Sequence, residues 1–476
     1  MKRPIHVIAL LALLALLAWA PAATAQTNAG GAWSFVSSPR LHPPSVRITT
    51  NSPGTAPGYV FLAPIVAGGK MLGAPGPLIV DNQGNPVYSR PLPRGLKAAN
   101  FRAQTYRGQP VLTWWQGTIS SQGIGNGTDV ILDSSYHVIA TVRAGNGYTA
   151  DLHEFVITPQ NTALISAYKQ VRLDLSGCCH GSRNGVLWDS VVQEVDIATG
   201  RVLWQWDPLQ HVRLRESYTV PVSGMTWDPY HLNSIDLDSA GNVLVSMRNT
   251  WAVYKIRQRT GGIYWRLGGK ATTFKLEPGV RFAWQHNATF QSNGNVALFD
   301  DEAAPKVGSL SRGLVVRLDT VHRAAHVAAA YTHPGVLAGS QGSTEVLPNG
   351  NVFEGWGQVP YFSEYTSDER LVFDGHFHGQ DESYRAYRMP WVGRPTHGPA
   401  LTVSGSTLYG SWNGETGIAR WQVLAGPSAS QLSSVGTVAS RGFETTIDPR
   451  NPGPYFQLRA LDAAGGVLGS SAVVHE

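Results

Sequence analysis

Three histidines keep similar company in this 476-residue chain: His153 in DLHEF, His231 in PYHLN and His286 in WQHNA. An imidazole with an ordinary pKa of about 6.5 is mostly neutral at pH 7, free to attack an electrophile, exchange a proton or bind a metal. Arg248, in SMRNTWAV, adds a fixed positive charge and a planar fork of donors that suits a sulfate or phosphate ester. Asn233 and Asn287, two and one residues past their histidines, are placed to orient an imidazole or a substrate oxygen. Trp284, beside His286, is a candidate to stack on an aromatic ring. Three imidazoles could also hold zinc or copper, but a guanidinium among them disfavours a cation, so no metal or other cofactor is expected.

These residues lie far apart in the chain, and what would gather them is repetition. VVQEVDIATGRVLWQWD and WAVYKIRQRTGGIYWRLGG share an alternating strand, a Thr-Gly turn and a second strand. GLVVRLDTVHRAAHVAAAY and DVILDSSYHVIATVRAG are looser copies. A second pattern, strand then Gly/Asn/Pro turn then strand, precedes them in LHEFVITPQNTALISAY, YHLNSIDLDSAGNVLVSMR, QHNATFQSNGNVALFDD and GSTEVLPNGNVFEGW. GPLIVDNQGNPVYSR reads as an early copy of this second pattern. Two strands plus two make a four-stranded antiparallel blade, and the copies predict an all-β chain with a six-bladed β-propeller of roughly sixty residues per blade. Innermost strands line the channel of a propeller, so histidines heading the first strand of different blades should meet on one rim.

Residues 26–397 are assigned to the propeller and residues 398–476, where the texture changes, to a small β-sandwich of the fibronectin type III sort. With 52 glycines, 30 prolines and 14% charged residues the composition is that of a turn-rich β protein, and 42% hydrophobic content supplies a large core. Residues 1–25, with Lys2 and Arg3, an apolar run and Ala23-Thr24-Ala25, read as a cleavable export signal, which predicts a secreted or periplasmic protein. Losing that leader lowers the formal net charge from +5 to +3, and no basic stripe remains, so neither nucleic acid nor a membrane surface is expected as a partner. The oligomeric state, monomer or homodimer, is left open. The only cysteines, Cys178 and Cys179, are adjacent and expected to form a vicinal disulfide in an oxidising compartment. Asp300-Asp301-Glu302 reads as a solvated corner between strands, or else a calcium ligand set. No phosphate-cradling glycine loop and no Gly-x-Ser-x-Gly elbow occurs, so chemistry must rest on histidine and arginine.

At these residues the sequence resembles the arylsulfotransferase family, in DLHEF, WDPYHLNSID, LVSMRNTWAVYKI, TGGIYWRLGG and WQHNATF, in one order. The resemblance implies an exported propeller that moves a sulfuryl group from an aryl sulfate ester to a phenolic acceptor without a nucleotide donor. His286 then matches the histidine that becomes sulfurylated, His231 and Arg248 match residues that hold the sulfuryl oxygens, and His153 matches the remaining active-site histidine.

Overall fold

The computed structural model describes residues 29–66, 70–449 and 453–476; the expected leader lies outside them. Regular structure is almost entirely β-strand, with a few single-turn 3₁₀ segments. Among the described residues no helix is long and apolar enough to cross a membrane.

The expected repeat corresponds to antiparallel units of four strands each. The clearest consists of Leu232–Leu237, Val243–Met247, Ala252–Ile256 and Ile263–Gly268, in that order across the sheet. Before it comes Thr149–Ile157, Thr162–Leu173, Gly185–Asp196 and Val202–Trp206. Before that comes Lys97–Tyr106, Gln109–Ile119, Gly125–Leu132 and Val138–Val142, joined to its successor through a pairing of Gly127 with Ala150 into one eight-stranded sheet. After the clearest unit come His286–Phe290, Val296–Asp300, Arg312–Asp319 and Ala324–Thr332, with Lys275–Leu276 added on the outer edge. Next come Ser343–Val346, Val352–Gly355, Tyr361–Tyr365 and Leu371–Phe377, with Val46–Asn51 outermost.

The remaining unit departs from the sequence reading. GPLIVDNQGNPVYSR is not a first and second strand but the outer hairpin, Leu78–Val80 and Pro86–Ser89. Tyr59–Ile65 lies inside it, and the innermost strand is Glu382–Met389, from more than 300 residues later in the chain. This sheet is stitched from both ends of residues 59–389, and its long-range pairing leaves no local repeat to find. The innermost strands of successive units touch in a closed circuit, from Glu382–Met389 through Lys97–Tyr106, Thr149–Ile157, Leu232–Leu237, His286–Phe290 and Ser343–Val346 back to the start.

Apolar side chains on both faces of each sheet fill the space between neighbours. Val243, Val245 and Tyr254 pack against Leu164, Val192 and Trp206 of one neighbouring sheet, while Leu244, Val253 and Leu267 pack against Val296, Leu298 and Leu314 of the other. Beyond residue 398 two further sheets enclose a core of Leu408, Trp421, Val423, Ile447, Phe456 and Leu458. This part is tied to the circuit by paired Asn413–Ser89 hydrogen bonds of 2.9 Å and by the Tyr136 hydroxyl, which donates to the Gly414 carbonyl at 2.6 Å.

Candidate active site

Each of the histidines stands on or just before the innermost strand of its unit, and each is held from behind by a carboxylate. His286 opens the strand His286–Phe290, and its Nδ1 lies 2.8 Å from Asp301 Oδ2. His231 precedes Leu232–Leu237 with φ of 53°, a left-handed conformation that turns its ring inward; its Nδ1 lies 2.6 Å from Asp228 Oδ2, whose other oxygen accepts the His231 amide. His153 sits within Thr149–Ile157, its Nδ1 against Asp151, which also accepts the Gly125 amide at 2.6 Å. The three rings thus offer one nitrogen each within 4.8 Å of one another.

One contact fixes the tautomer of His286. The Gln341 amide points at Nε2 from 3.3 Å, and an N–H can be received there only by a lone pair. The proton therefore sits on Nδ1 and is donated to Asp301, which leaves Nε2 unprotonated toward the cavity. Burial, Arg248 and the other two imidazoles drive the His286 pKa well below its ordinary value. Burial also lowers that of His231, against the pull of Asp228.

Arg248 follows the strand Val243–Met247 in the turn Arg248–Thr250, and its backbone amide donates to the His231 carbonyl at 3.0 Å. This bond ties the arginine to the histidine of its own unit, across the hairpin that separates them in sequence. The guanidinium donates to the carbonyls of Ala304 and Gly339 at 3.2 and 3.1 Å and lies 4.7 Å above the Trp284 ring. Burial pulls its pKa down while Asp301 and Asp228 oppose, and a guanidinium keeps its charge under such pressure. Arg248 and the three histidines line one cavity of about 560 Å³. Its mouth carries Val220, Val222 and Met225, all more than half exposed, on the long connection before Trp227.

The other expected site residues have different work. Asn233 is fully buried and its amide donates to the Gln285 carbonyl at 2.7 Å; Asn287 Oδ1 accepts the Thr344 amide at 3.1 Å. Each joins adjacent inner strands by that bond, and the aspartates are the side chains bonded to the imidazoles. Trp284 does not line the cavity: its indole N–H donates to the Pro305 carbonyl at 2.9 Å, and its face is occupied by Arg248. Asp300-Asp301-Glu302 is no solvated corner, since Asp300 and Asp301 are completely buried, the first paired with Arg312 at 2.9 Å and the second behind His286. Cys178 and Cys179 are bonded to each other, in a loop whose Leu175 packs on Trp227. Sequence reasoning missed Asp151, Asp228, Gln341, Glu382 and Tyr384, which all meet the histidines or the cavity. The motifs Asp-x-His at 151–153 and Asp-x-x-His at 228–231 were the available signal for the first two.

Three ring nitrogens, each backed by a carboxylate, have the donor set of a metal site. Arg248 puts a fixed positive charge on the same cavity, which disfavours a cation and suits an anion.

No curated protein matches the chain. Solved structures similar to it include a protein of unknown function from Bacteroides caccae at 15% identity, covering 70% of this chain and 100% of that one with a TM-score of 0.42. A virginiamycin B lyase from Staphylococcus aureus is 10% identical, covering 77% and 95% with a TM-score of 0.34. The family model described as Arylsulfotransferase (ASST) matches residues 102–378, more than half of the 476, and spans His153, His231, Arg248 and His286. The chain belongs to the arylsulfotransferase family.

Proposed function

We propose that this protein is a nucleotide-independent sulfotransferase that carries a sulfuryl group from an aryl sulfate ester to a phenol by way of a sulfohistidine on His286. In this reading the six four-stranded units are the blades of one propeller, the two sheets beyond residue 398 form a fibronectin type III-like accessory sandwich, and residues 1–25 direct export. The observation that carries it is the set of Arg248, His153 and His231 around an Nε2 that Asp301, by accepting the Nδ1 hydrogen bond, keeps unprotonated, with the Gln341 amide as the contact an incoming sulfuryl group must displace.

In the donor half-reaction Nε2 attacks sulfur, the bond from sulfur to the aryl oxygen breaks, and that oxygen leaves with the electron pair. The Arg248 guanidinium holds the nonbridging oxygens as charge redistributes, with His231 beside it on the cavity wall. The acceptor then repeats the displacement in reverse, which predicts ping-pong kinetics. Incubation with 4-nitrophenyl sulfate should give a labile sulfuryl adduct by intact mass, mapping to the peptide that contains His286. An unmodified protein after release of nitrophenol would exclude the covalent route.

The lowered His286 pKa makes a further prediction. Protonation removes the nucleophile, so a depressed pKa moves the acid limb of the donor half-reaction below the ordinary imidazole value of 6.5. The rate of adduct formation is expected to hold as pH falls through 6.5. A limb centred at or above that value would contradict it. A His-ligated metal enzyme is the second reading that the three converging nitrogens favour; elemental analysis of the purified protein decides, with stoichiometric zinc or copper required.

A further inference from the structure

Sulfuryl transfer between phenols needs a proton at two moments, and the histidines are poorly placed to supply it. All three direct Nδ1 to a carboxylate, Nε2 of His286 is committed to sulfur, and burial disfavours the charged form of His231. Another ionisable group lines the same cavity. Glu382 opens the innermost strand Glu382–Met389, is only 3% exposed, and its Oε1 accepts from the Gln341 side-chain amide at 3.1 Å. The backbone amide of that same Gln341 meets His286 Nε2, so one residue spans the nucleophile and the carboxyl group.

Resting on the sulfotransferase reading, we infer that Glu382 is the proton carrier of the reaction, giving a proton to the departing aryl oxygen and taking one from the incoming phenol. In the first half-reaction the N–S bond forms, the S–O bond breaks with its electron pair moving to the aryl oxygen, and that oxygen is protonated by the Glu382 carboxyl group. In the second, the acceptor hydroxyl loses its proton to the Glu382 carboxylate as its oxygen bonds sulfur, and the N–S electron pair returns to Nε2. Glu382 ends as it began, and no other reagent is needed.

The surroundings suit the task. Burial pushes the carboxyl up to about 7, with Asp381, just before the strand, adding to the rise and Gln341 and Lys97 opposing it. Across the cavity lie Arg248, Asp228 and the three histidines, with Tyr384 two residues on in the same strand. A carrier balanced near neutral pH can both donate and accept. Glu382 lies just beyond the span matched by the family model, residues 102–378.

The test is Glu382→Gln in the full chain, which keeps an oxygen for Gln341 and removes the proton. Formation of the His286 adduct is measured with 4-nitrophenyl sulfate, whose leaving group needs no protonation, and with unsubstituted phenyl sulfate, whose leaving group does. The nitrophenyl donor should lose less than about threefold and the phenyl donor about 100-fold or more, within the usual range for a removed general acid. With phenyl sulfate the parent rate should fall as pH rises through about 7, where Glu382 loses its proton, and the variant should lack that limb. Glu382→Asp should retain the limb with a reduced rate. Equal losses with both donors, which a mere support for Gln341 would produce, overturn the assignment, as does an unchanged phenyl rate. A parent that forms no adduct with either donor instead overturns the sulfotransferase reading beneath it.

Discussion

His286→Ala is expected to abolish transfer from 4-nitrophenyl sulfate to phenol, a loss on the order of 10⁴-fold or more, since on the proposed sulfohistidine route it removes the covalent nucleophile and leaves only binding and electrostatics to act. The variant should still unfold cooperatively, because His286 heads a strand whose pairing is backbone-borne and Asp301, left behind, can take up a proton in place of its partner. Asp301→Asn is the more searching companion. An amide in that position can donate to Nδ1, which would move the ring proton to Nε2 and occlude the attacking lone pair. The expected cost is on the order of 10²- to 10⁴-fold in adduct formation, by analogy with the tautomer-fixing aspartate of other catalytic histidines. Full transfer by His286→Ala would refute the nucleophile assignment. Full activity in Asp301→Asn would leave the nucleophile standing and remove the account of its orientation.

How far such a site can be read from sequence depends on what each residue's signal travels through. His153, His231 and His286 were legible because each sits at the same phase of a repeated strand pattern, and phase alone brings equivalent positions to one rim. Arg248 was legible through its place one strand after His231, and its backbone bond to the His231 carbonyl is the physical link. Asp301 was not, since three consecutive acids ordinarily signal solvent, and only the packed ends of Val296–Asp300 and Arg312–Asp319 show the first two buried. Asn233, Asn287 and Trp284 do not line the cavity for a related reason: proximity in sequence to a histidine says nothing about which side of the strand faces it. Glu382 and Arg385 were invisible altogether. They lie on ESYRAYRM, which has no hairpin partner in sequence and completes a sheet begun more than 300 residues earlier.

That closing strand makes the largest prediction for stability. Arg385 is 1% exposed, and its guanidinium donates to Glu154 at 2.9 Å, to Asn100 at 3.2 Å and to the Tyr387 hydroxyl at 3.0 Å. It also donates to the carbonyls of His153 and Asn233 at 3.0 and 2.8 Å. One side chain thereby binds the innermost strands of the three units that follow its own, directly beneath His153. Arg385→Met leaves Glu154 buried with Arg102 as its remaining cation, and removing one partner of a buried pair costs about 3–5 kcal/mol. Denaturant unfolding should register that loss, and adding Glu154→Gln should recover part of it, because the stranded charge is then gone. The pH dependence has a definite sign. Burial alone would raise the Glu154 carboxyl, but Arg385 and Arg102 outweigh it and hold the folded-state pKa below the ordinary 4.5. The ion pair therefore stabilises the parent above 4.5, and that contribution fades as pH falls through the folded-state value. The gap between parent and Arg385→Met should narrow in acid, and a gap constant with pH would mean that the arginine acts through packing and its carbonyl bonds rather than through the charge of Glu154.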